Sequence, residues 1–370
     1  MARFASFALL ALQSLLLLAP VQGDAVKDLQ DKGRPALDAA IAKSKTCTKE
    51  KLQVRREWGD ISAADKKAYI DAFLCIIGKP SKLDRTKFPG AQSRYDDFVV
   101  VHMNQTMNIH GTANFLSWHR YYEWSWERVL REECNYQGVQ PYWDWGRWAS
   151  DPEKSPIFDG SDLSMGGNGE KVQHTSLVMG FGVGNGGGCV KTGPFKNLVI
   201  RLGPLSAAIS GVPRNPRADG YGNNERCLRR DISSGPSSKY TKTTDIVNLI
   251  TNFKSIGPFQ DKMQDPSTGV HSAGHYTIHG DPGGDFYTSP NDPAFWLHHG
   301  MIDRVWTIWQ SQDLANRVNV IAGGKSMMGF GGGAQGSLED LIDLGVVGNK
   351  VYKIKDLVST VDGPFCYVYE

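Results

Sequence analysis

Five segments carry apolar side chains at helical spacing, and together they predict a mainly helical fold. The first begins at Ser62, where Ser62 and Asp65 resemble a capping box, and it ends at Gly78 and Pro80. The remaining predicted elements are helices over residues 95–102, 116–133, 270–279 and 293–312, and short strands over 198–202 and 350–354. The long stretches between these elements are predicted to be loops.

The longest of these loops covers residues 160–226, which are rich in Gly, Asn and Ser. Cys189 and Cys227 lie inside it and directly after it, and a disulfide between them would fasten it. The segment is therefore expected to be a loop of one domain and not a linker between two. A second glycine-rich run, 329–336, is predicted to be a surface loop.

The first 23 residues have the pattern of a secretory signal peptide. Arg3 gives a positive start, residues 7–18 form an apolar stretch, and Gly23 ends a suitable cleavage site. The apolar stretch is too short to span a bilayer comfortably and no second one follows, so a membrane anchor is the weaker alternative. We expect a secreted protein made of residues 24–370.

Charge gives no reason to expect a nucleic-acid partner. The chain has 41 basic and 39 acidic residues. Arg3 is the one charged residue before position 24, so cleavage leaves 40 basic against 39 acidic side chains and a net charge of +1. A near balance of this kind also gives no sign of an acidic partner or a membrane surface.

The six cysteines of the chain favour disulfides, since an even number is typical of a secreted protein. Spacing alone cannot choose the pairing. Our expectation is that one disulfide joins the two ends of the chain, one joins two helices and one fastens the glycine-rich loop: Cys47–Cys366, Cys75–Cys134 and Cys189–Cys227. Asn104 lies in the single N-glycosylation sequon and is expected to carry a glycan.

Six of the nine histidines fall into two triplets, and these are the most informative residues of the sequence. The triplets are His102, His110 and His119, and then His275 and His279 with either His298 or His299. Two histidines four residues apart share one face of a helix and can bind one metal ion. Because the triplets lie in opposite halves of the chain and need each other, they also favour one domain.

Spacing leaves the kind of metal site open. One metal ion is plausible and two are suggested. Imidazole ligands suit Zn, Cu, Fe and Ni. Asp281 and Asp285 follow the second triplet and keep a dizinc hydrolase possible, whereas a set made only of imidazoles favours copper. His174 and His271 are not expected to bind metal, and His298 is expected to line the pocket if His299 is the ligand.

The flanking residues resemble the copper-binding signatures of tyrosinases, catechol oxidases and molluscan haemocyanins. Residues 110–120 (HGTANFLSWHR) resemble the first signature, and residues 292–299 (DPAFWLHH) with Asp303-Arg304 resemble the second. Further agreement comes from residues 54–58 (VRREW), 140–145 (QPYWDW) and 367–369 (YVY). Within this family, the chain is most similar to the short, secreted fungal tyrosinase-like oxidases.

The resemblance implies a four-helix bundle around two copper ions, with O2 as co-substrate. It assigns the first copper to His102, His110 and His119 and the second to His275, His279 and His299, because the second histidine of the pair is the family's ligand. It places Phe115 and Phe295 as apolar walls. Asp303, one turn after His299, is expected to accept the other ring N–H of that histidine.

Several positions depart from the family pattern. Asn108 stands where many relatives have a cysteine that forms a thioether to the second ligand, so no such link is expected there. Glu123, one turn after His119, replaces an apolar residue and is expected either to be solvated, which is favoured, or to contact a copper ligand. The chain stops just after residues 367–369, so the C-terminal lid domain of long latent tyrosinases is expected to be absent.

The implied activity is oxidation of o-diphenols to o-quinones by O2. In relatives that hydroxylate monophenols, an Asn directly after the first ligand of the second copper holds a water that acts as base. Tyr276 occupies that position here, directly after His275, and cannot replace the Asn in the same geometry, which favours a catechol oxidase. Gly280 would leave room at the entrance, and Phe286 is placed over the site as in plant-type enzymes. The alternatives are a tyrosinase or an o-aminophenol oxidase and, more remotely, a haemocyanin-like O2 carrier.

Overall fold

A computed structural model describes residues 24–327 and 333–370. The predicted signal peptide and part of the glycine-rich run 329–336 lie outside the described residues. The helices in the described ranges are α1 (Ala25–Ile41), α2 (Ala63–Gly78), α3 (Arg94–Ile109), α4 (Phe115–Cys134), α5 (Trp145–Trp148), α6 (Ser234–Tyr240), α7 (Thr243–Asn252), α8 (Ile256–Gln264), α9 (Val270–Ile278), α10 (Ala294–Ser311) and α11 (Leu314–Arg317).

The strands are short and form four two-stranded sheets at the periphery. β1 (Gln53–Arg55) pairs in parallel with β8 (Tyr367–Tyr369), whereas the other three pairs are antiparallel: β2 (Gly169–Lys171) with β3 (Gly187–Val190), β4 (Val199–Ile200) with β5 (Arg226–Cys227), and β6 (Leu341–Ile342) with β7 (Tyr352–Lys353). The fold is mainly helical, as predicted. None of the described helices combines the length and apolar character needed to span a membrane.

Helices α3, α4, α9 and α10 form the predicted four-helix bundle, and the clustered histidines lie between them. α4 contacts both α3 and α10, and α10 also contacts α9. Aromatic side chains fill the core away from the histidines. Trp126 of α4 stacks on Trp296 of α10 with 4.3 Å between ring centroids, and Phe98 of α3 packs edge-on against Trp126 at 5.2 Å. Buried aromatic surface of this size holds the three helices at fixed separations.

The ends of α3 and α9 determine where the histidines sit. α3 starts with a capping box, in which Ser93 Oγ accepts the backbone N–H of Asp96 and the Asp96 carboxylate accepts that of Ser93. It extends past the predicted end to Ile109. α9 ends at Ile278, one residue earlier than predicted, because His279 adopts a positive φ of 49°.

All three expected disulfides are present: Cys47–Cys366, Cys75–Cys134 and Cys189–Cys227. The first lies next to the β1–β8 sheet and joins the two ends of the described chain. The second joins α2 to α4. The third fastens the long loop, whose only regular structure within the described residues is the two small sheets β2–β3 and β4–β5.

Asp303 does not accept a hydrogen bond from His299, contrary to expectation, and His299 Nδ1 has no partner among the described residues. Asp303 Oδ1 accepts a hydrogen bond from Arg120 Nε at 2.6 Å. Its Oδ2 accepts hydrogen bonds from the hydroxyls of Tyr367 at 2.7 Å and Tyr369 at 2.5 Å. A guanidinium and two hydroxyls thus already satisfy the carboxylate, and the ion pair with the guanidinium is a strong, charge-assisted hydrogen bond. Asp303 links α4, α10 and the C-terminal strand.

Glu123 is also placed differently from the expectation. It is fully buried and not solvated, and neither carboxylate oxygen has a hydrogen-bond partner within the described ranges. Burial raises the pKa of Glu123 well above its ordinary value. The protonated, uncharged form is therefore favoured, which makes a carboxyl group tolerable where relatives have an apolar side chain.

We predict that Asp303→Asn lowers the free energy of unfolding of the metal-free protein by about 3–5 kcal/mol, because it leaves the buried Arg120 without its counter-charge. Denaturant unfolding followed by tryptophan fluorescence measures the change. The control is Glu132→Gln, which removes the exposed partner of Arg128 and should change stability by less than about 0.5 kcal/mol. Equal effects of the two substitutions would contradict the prediction.

Candidate metal centre

The first predicted triplet is brought together by α3 and α4. His102 lies on α3, His110 caps its C-terminal end, and His119 lies on the first turns of α4. One ring nitrogen from each can be chosen so that all three atoms lie within 4.8 Å of one another. The ring centroids are separated by 5.1 to 5.9 Å. Three imidazoles thus converge on one point in the bundle core.

Backbone carbonyls fix the orientation of these three rings. The Nδ1 of His102 lies 2.8 Å from Tyr287 O, that of His110 lies 3.0 Å from Thr106 O, and that of His119 lies 2.8 Å from Phe115 O. A carbonyl only accepts, so each Nδ1 carries the proton and each Nε2 has a lone pair. The Nε2 atoms of His102 and His119 are buried with no partner among the described residues. A metal ion is the partner that such a set of lone pairs fits.

The second group differs from the predicted triplet in one member. It consists of His271, His275, His298 and His299, with one ring nitrogen from each within 4.8 Å of the others. His271 and His275 lie one turn apart on α9, with ring centroids 4.8 Å apart. His271 was not expected to bind metal, whereas His279, which was, lies outside the group.

His279 is excluded by the end of α9. Its backbone leaves the helical conformation, and its ring turns toward the glycine-rich loop. There Nδ1 lies 3.6 Å from the carboxylate of Asp231, and Nε2 lies 3.4 Å from Ser176 Oγ. The spacing of four occurs twice, in 271–275 and 275–279, so spacing could not choose between them. The helix-ending residues 280–284 (GDPGG) were the signal that His279 lies at the helix end.

His298 and His299 are both buried, but they face different neighbours. The His299 ring stacks on His119 of the first group, with 4.5 Å between centroids. The His298 ring packs against Trp145 and against Gly274, where an added Cβ would lie 2.2 Å from it. His299 therefore bridges toward the first group, as a ligand facing a second metal would.

Burial keeps all of the clustered histidines uncharged near neutral pH. It lowers the pKa of His110 to about 4, and together with the nearby His110 it lowers the pKa of His275 to about 3. Burial also holds the pKa values of the other clustered histidines well below the ordinary range. Metal binding needs the neutral imidazole, so the site is ready for a metal without loss of a proton.

The two aspartates that kept a dizinc site possible are both engaged elsewhere. Asp281 forms a two-pronged ion pair with Arg226, at 2.6 and 3.0 Å. Asp285 accepts four backbone N–H groups, from Leu205, Ser206, Tyr287 and Thr288. Neither belongs to a histidine group. The donor set is imidazole only, which favours copper over the carboxylate-bridged metals of hydrolases.

Phe115 and Phe295 lie against the histidine rings, as the resemblance implied. Phe295 stacks on His299 at 4.2 Å between centroids, and Phe115 lies 4.9 Å from His271 and 5.0 Å from His119. Both phenylalanines are buried. They surround the centre with apolar surface, which excludes water from the ligand side of the rings.

A cavity of about 260 Å³ opens beside the histidines. Its lining is mostly apolar and neutral: His110, Gly111, Gln264, Pro266, His271, Ser272, His275, Tyr276, Gly283, Gly284, Asp285, Phe286, Ser289 and Met327. Tyr276 and Phe286 line it as predicted, and Phe286 lies 4.6 Å from the His110 ring. His298 does not.

Gly280 is not at the entrance, contrary to expectation. It is buried with a positive φ of 75°, and an added Cβ would lie 2.4 Å from Arg229 O. Its small size serves close packing against the loop. The residue that follows the first histidine of α9 is Ser272, which lines the cavity and which the sequence analysis missed.

Asn104 and Asn108 lie on the exposed side of α3. Thr106, the hydroxyl residue of the sequon, is buried and donates to His102 O at 2.7 Å. An exposed Asn104 is compatible with a glycan. All six cysteines are in disulfides, so none is available for a thioether to His110.

Comparison with known proteins identifies relatives of this fold and site. The family model for the common central domain of tyrosinase matches residues 92–312. Tyrosinase P of Aspergillus terreus is 38% identical over 330 residues, which cover 85% of this chain and 91% of that protein. The N-acetyl-6-hydroxytryptophan oxidase ivoB of Emericella nidulans is 36% identical over 362 residues, covering 90% and 97%.

A solved structure has the same fold. Polyphenol oxidase from Thermothelomyces thermophila, solved as a point mutant, superposes with a TM-score of 0.85 at 38% identity. The superposition covers 94% of this chain and 96% of that one. The match includes all four helices of the bundle because it extends over nearly the whole chain.

We predict that His271→Ala removes one of two bound copper ions per chain, whereas His279→Ala leaves both in place. His271 lies within 4.8 Å of the other members of the second group, and His279 lies outside it. Copper content after loading and dialysis, measured by atomic spectroscopy, distinguishes the two variants. Two coppers retained in His271→Ala, or one lost in His279→Ala, would refute this assignment.

Proposed function

This chain belongs to the tyrosinase family, and from that premise we propose that it oxidises o-diphenols to o-quinones with O2. Membership of this family supports the more general statement that the protein is a copper-dependent oxidase of phenolic compounds. The observation that supports the finer proposal is the pair of histidine groups, joined through stacked His119 and His299, beside a cavity of about 260 Å³. That volume is close to the lower end of ordinary ligand pockets, roughly 300 Å³.

We assign one copper to His102, His110 and His119 and the other to His271, His275 and His299. A copper pair held there would supply the O2 chemistry of the oxidation. The residues of the chain do the rest. Backbone carbonyls orient the rings of His102, His110 and His119, and Phe115 and Phe295 keep water from the ligands.

The cavity orients the phenol. Phe286 lies at the side of His110 and offers an aromatic face against which a phenol ring can pack. Ser272 and Tyr276 lie one turn apart on α9, and both line the cavity. An aromatic ring packed on Phe286 with its oxygen atoms toward the histidines is the arrangement that these walls favour.

The choice between catechol oxidase and tyrosinase depends on Ser272. It is the residue directly after His271, so it holds the position that the sequence analysis gave to Tyr276. A serine side chain is shorter than an asparagine side chain. A water bound to the serine hydroxyl would therefore lie nearer to the histidines than a water bound to an asparagine carboxamide. We therefore propose diphenol oxidation as the main activity, with monophenol hydroxylation as the alternative.

Oxidation of a bulkier phenol is the second candidate function. It is favoured by the relative named N-acetyl-6-hydroxytryptophan oxidase, which is 36% identical to this chain and whose named substrate is a phenolic indole. We further propose that the protein is secreted and carries a glycan on Asn104, which three disulfides and the exposed sequon support.

Oxygen uptake by the copper-loaded protein tests the proposed function. We expect lag-free uptake with 4-methylcatechol and little uptake with tyramine. Brisk tyramine hydroxylation would instead support a tyrosinase. Uptake of O2 without turnover of either phenol would indicate a carrier, and no uptake at all would refute the oxidase.

We predict that Ser272→Asn raises the ratio of monophenol to diphenol turnover by about tenfold, which corresponds to about 1.4 kcal/mol in the barrier. The carboxamide can hold a water that takes the phenol proton. Initial rates on tyramine and 4-methylcatechol give the ratio. Tyr276→Asn is the matched control and should leave the ratio within about twofold, a barrier change of about 0.4 kcal/mol. The prediction fails if Tyr276→Asn produces the larger increase.

A further inference from the structure

His174 lies between two groups that can only accept hydrogen bonds. Its Nδ1 is 2.9 Å from Val172 O, and its Nε2 is 2.8 Å from Asp231 Oδ2. A neutral imidazole has one N–H and can satisfy only one of them. Both contacts therefore need the doubly protonated ring, so the geometry describes a buried ion pair of cationic His174 with Asp231.

The other charged and titratable groups around this pair are Arg229 and His279. Arg229 disfavours the His174 cation, but its guanidinium is taken up by Gly187 O and Gly211 O. His279, at the end of α9, lies 3.6 Å from the same carboxylate, and burial lowers its pKa to about 4. His279 is thus uncharged near neutral pH, and His174 is the cation that balances Asp231.

Asp231 also holds the loop that contains His174. Its Oδ2 accepts the backbone N–H of Gly184 at 2.8 Å, and its Oδ1 accepts that of Gly186 at 3.0 Å. The carboxylate is fully buried. One charge therefore fastens both ends of residues 172–186, which we call the 172–186 loop.

The 172–186 loop supports one wall of the cavity. Phe181 is the buried aromatic residue of the loop, and its ring lies 4.8 Å from that of Tyr276. Tyr276 lines the cavity beside the histidines. Other apolar residues of the loop are exposed: Leu177 to 58%, Val183 to 49% and Met179 to 95%. Backbone hydrogen bonds hold residues 175–177 to residues 208–210. The contacts of Asp231 hold His174 and residues 184–186, on either side of Phe181.

We propose that His174 and Asp231 are positioning residues for the phenol cavity. The ion pair fastens the 172–186 loop, the loop keeps Phe181 against Tyr276, and Tyr276 shapes the wall that the substrate meets. His174 contributes both of its hydrogen bonds to the loop only while its ring carries both protons. This inference rests on the proposed function for its effect on substrate, but not for the ion pair or the loop.

The direction of the pH dependence follows from the contacts. Burial by itself lowers the pKa of His174, but the hydrogen bonds to Val172 O and Asp231 outweigh it and leave this pKa above its ordinary value. A raised pKa means that the pair stabilises the loop fully below the ordinary histidine pKa of about 6.5. The stabilisation is lost as the pH rises through the higher pKa of the folded protein.

Hydrogen–deuterium exchange of the metal-free protein tests the loop without any catalysis. After correction for intrinsic exchange rates, we expect amides of residues 172–186 to lose protection by about fivefold between about pH 6 and about pH 9, on either side of the ordinary histidine pKa, which matches the loss of one hydrogen bond of about 1 kcal/mol. In His174→Gln, which donates at most one of the two bonds and does not titrate, protection should not depend on pH. Leu177→Ser, at an exposed position of the same loop, should keep the wild-type response.

Two further measurements keep the proposal falsifiable if His174→Gln folds poorly. NMR of the wild-type ring nitrogens should show both nitrogens of His174 protonated at about pH 6, below its raised pKa. In the copper-loaded enzyme, KM for 4-methylcatechol should rise with pH in the wild type and stay flat in His174→Gln, with kcat changed less than KM. A neutral His174 ring at about pH 6, or loop protection independent of pH, would overturn the inference. If the enzyme oxidises 4-methylcatechol but gives either of those two results, the inference is overturned and the proposed function stands.

Discussion

The fold is organised around a group of buried imidazoles whose acceptor nitrogens point at one another. A polar atom buried without a partner costs free energy, commonly about 1–3 kcal/mol for each group. Here several such atoms are gathered in one place, and the protein keeps them there by fixing the opposite nitrogen of each ring in the first group to a backbone carbonyl. The carbonyls of Thr106 and Phe115 lie one turn before His110 and His119. Helix geometry itself therefore sets the tautomer, and a metal completes the lone pairs that this leaves.

The separation of the two histidine groups depends on how α4 and α10 cross. His119 and Arg120 are neighbours on α4, while His299 and Asp303 lie one turn apart on α10. The ion pair of Arg120 with Asp303 is thus formed by the residues adjoining the two stacked imidazoles. The C-terminal strand adds the hydroxyl of Tyr367 to the same carboxylate. The buried carboxylate of Asp303 therefore links the C-terminal strand to the two helices that set the distance between the histidine groups.

The apolar spacing predicted the helices, and the resemblance carried by the two long signatures predicted the bundle and most of the site. The prediction from sequence was wrong where two structures fit the same spacing of histidines. The spacing of four occurs twice on α9, and only the helix end at Gly280 separates His271 from His279. α1 was missed because Gly33 and Pro35 lie inside it; Gly33 is required there since an added Cβ would lie 1.9 Å from Ser311 Oγ.

The shift of one turn on α9 changes more than the ligand set. With His271 and His275 facing the first group, the cavity side of the helix presents Ser272 and Tyr276, which are themselves one turn apart. Ser272 then lies directly after His271, the proposed first ligand of that group. Tyr276 lies farther along the wall and depends on Phe181 for its place. His279 lies outside the histidine groups and beside Asp231, the residue that holds the 172–186 loop. The end of α9 thus separates the residues that meet the metal from those that shape access to it.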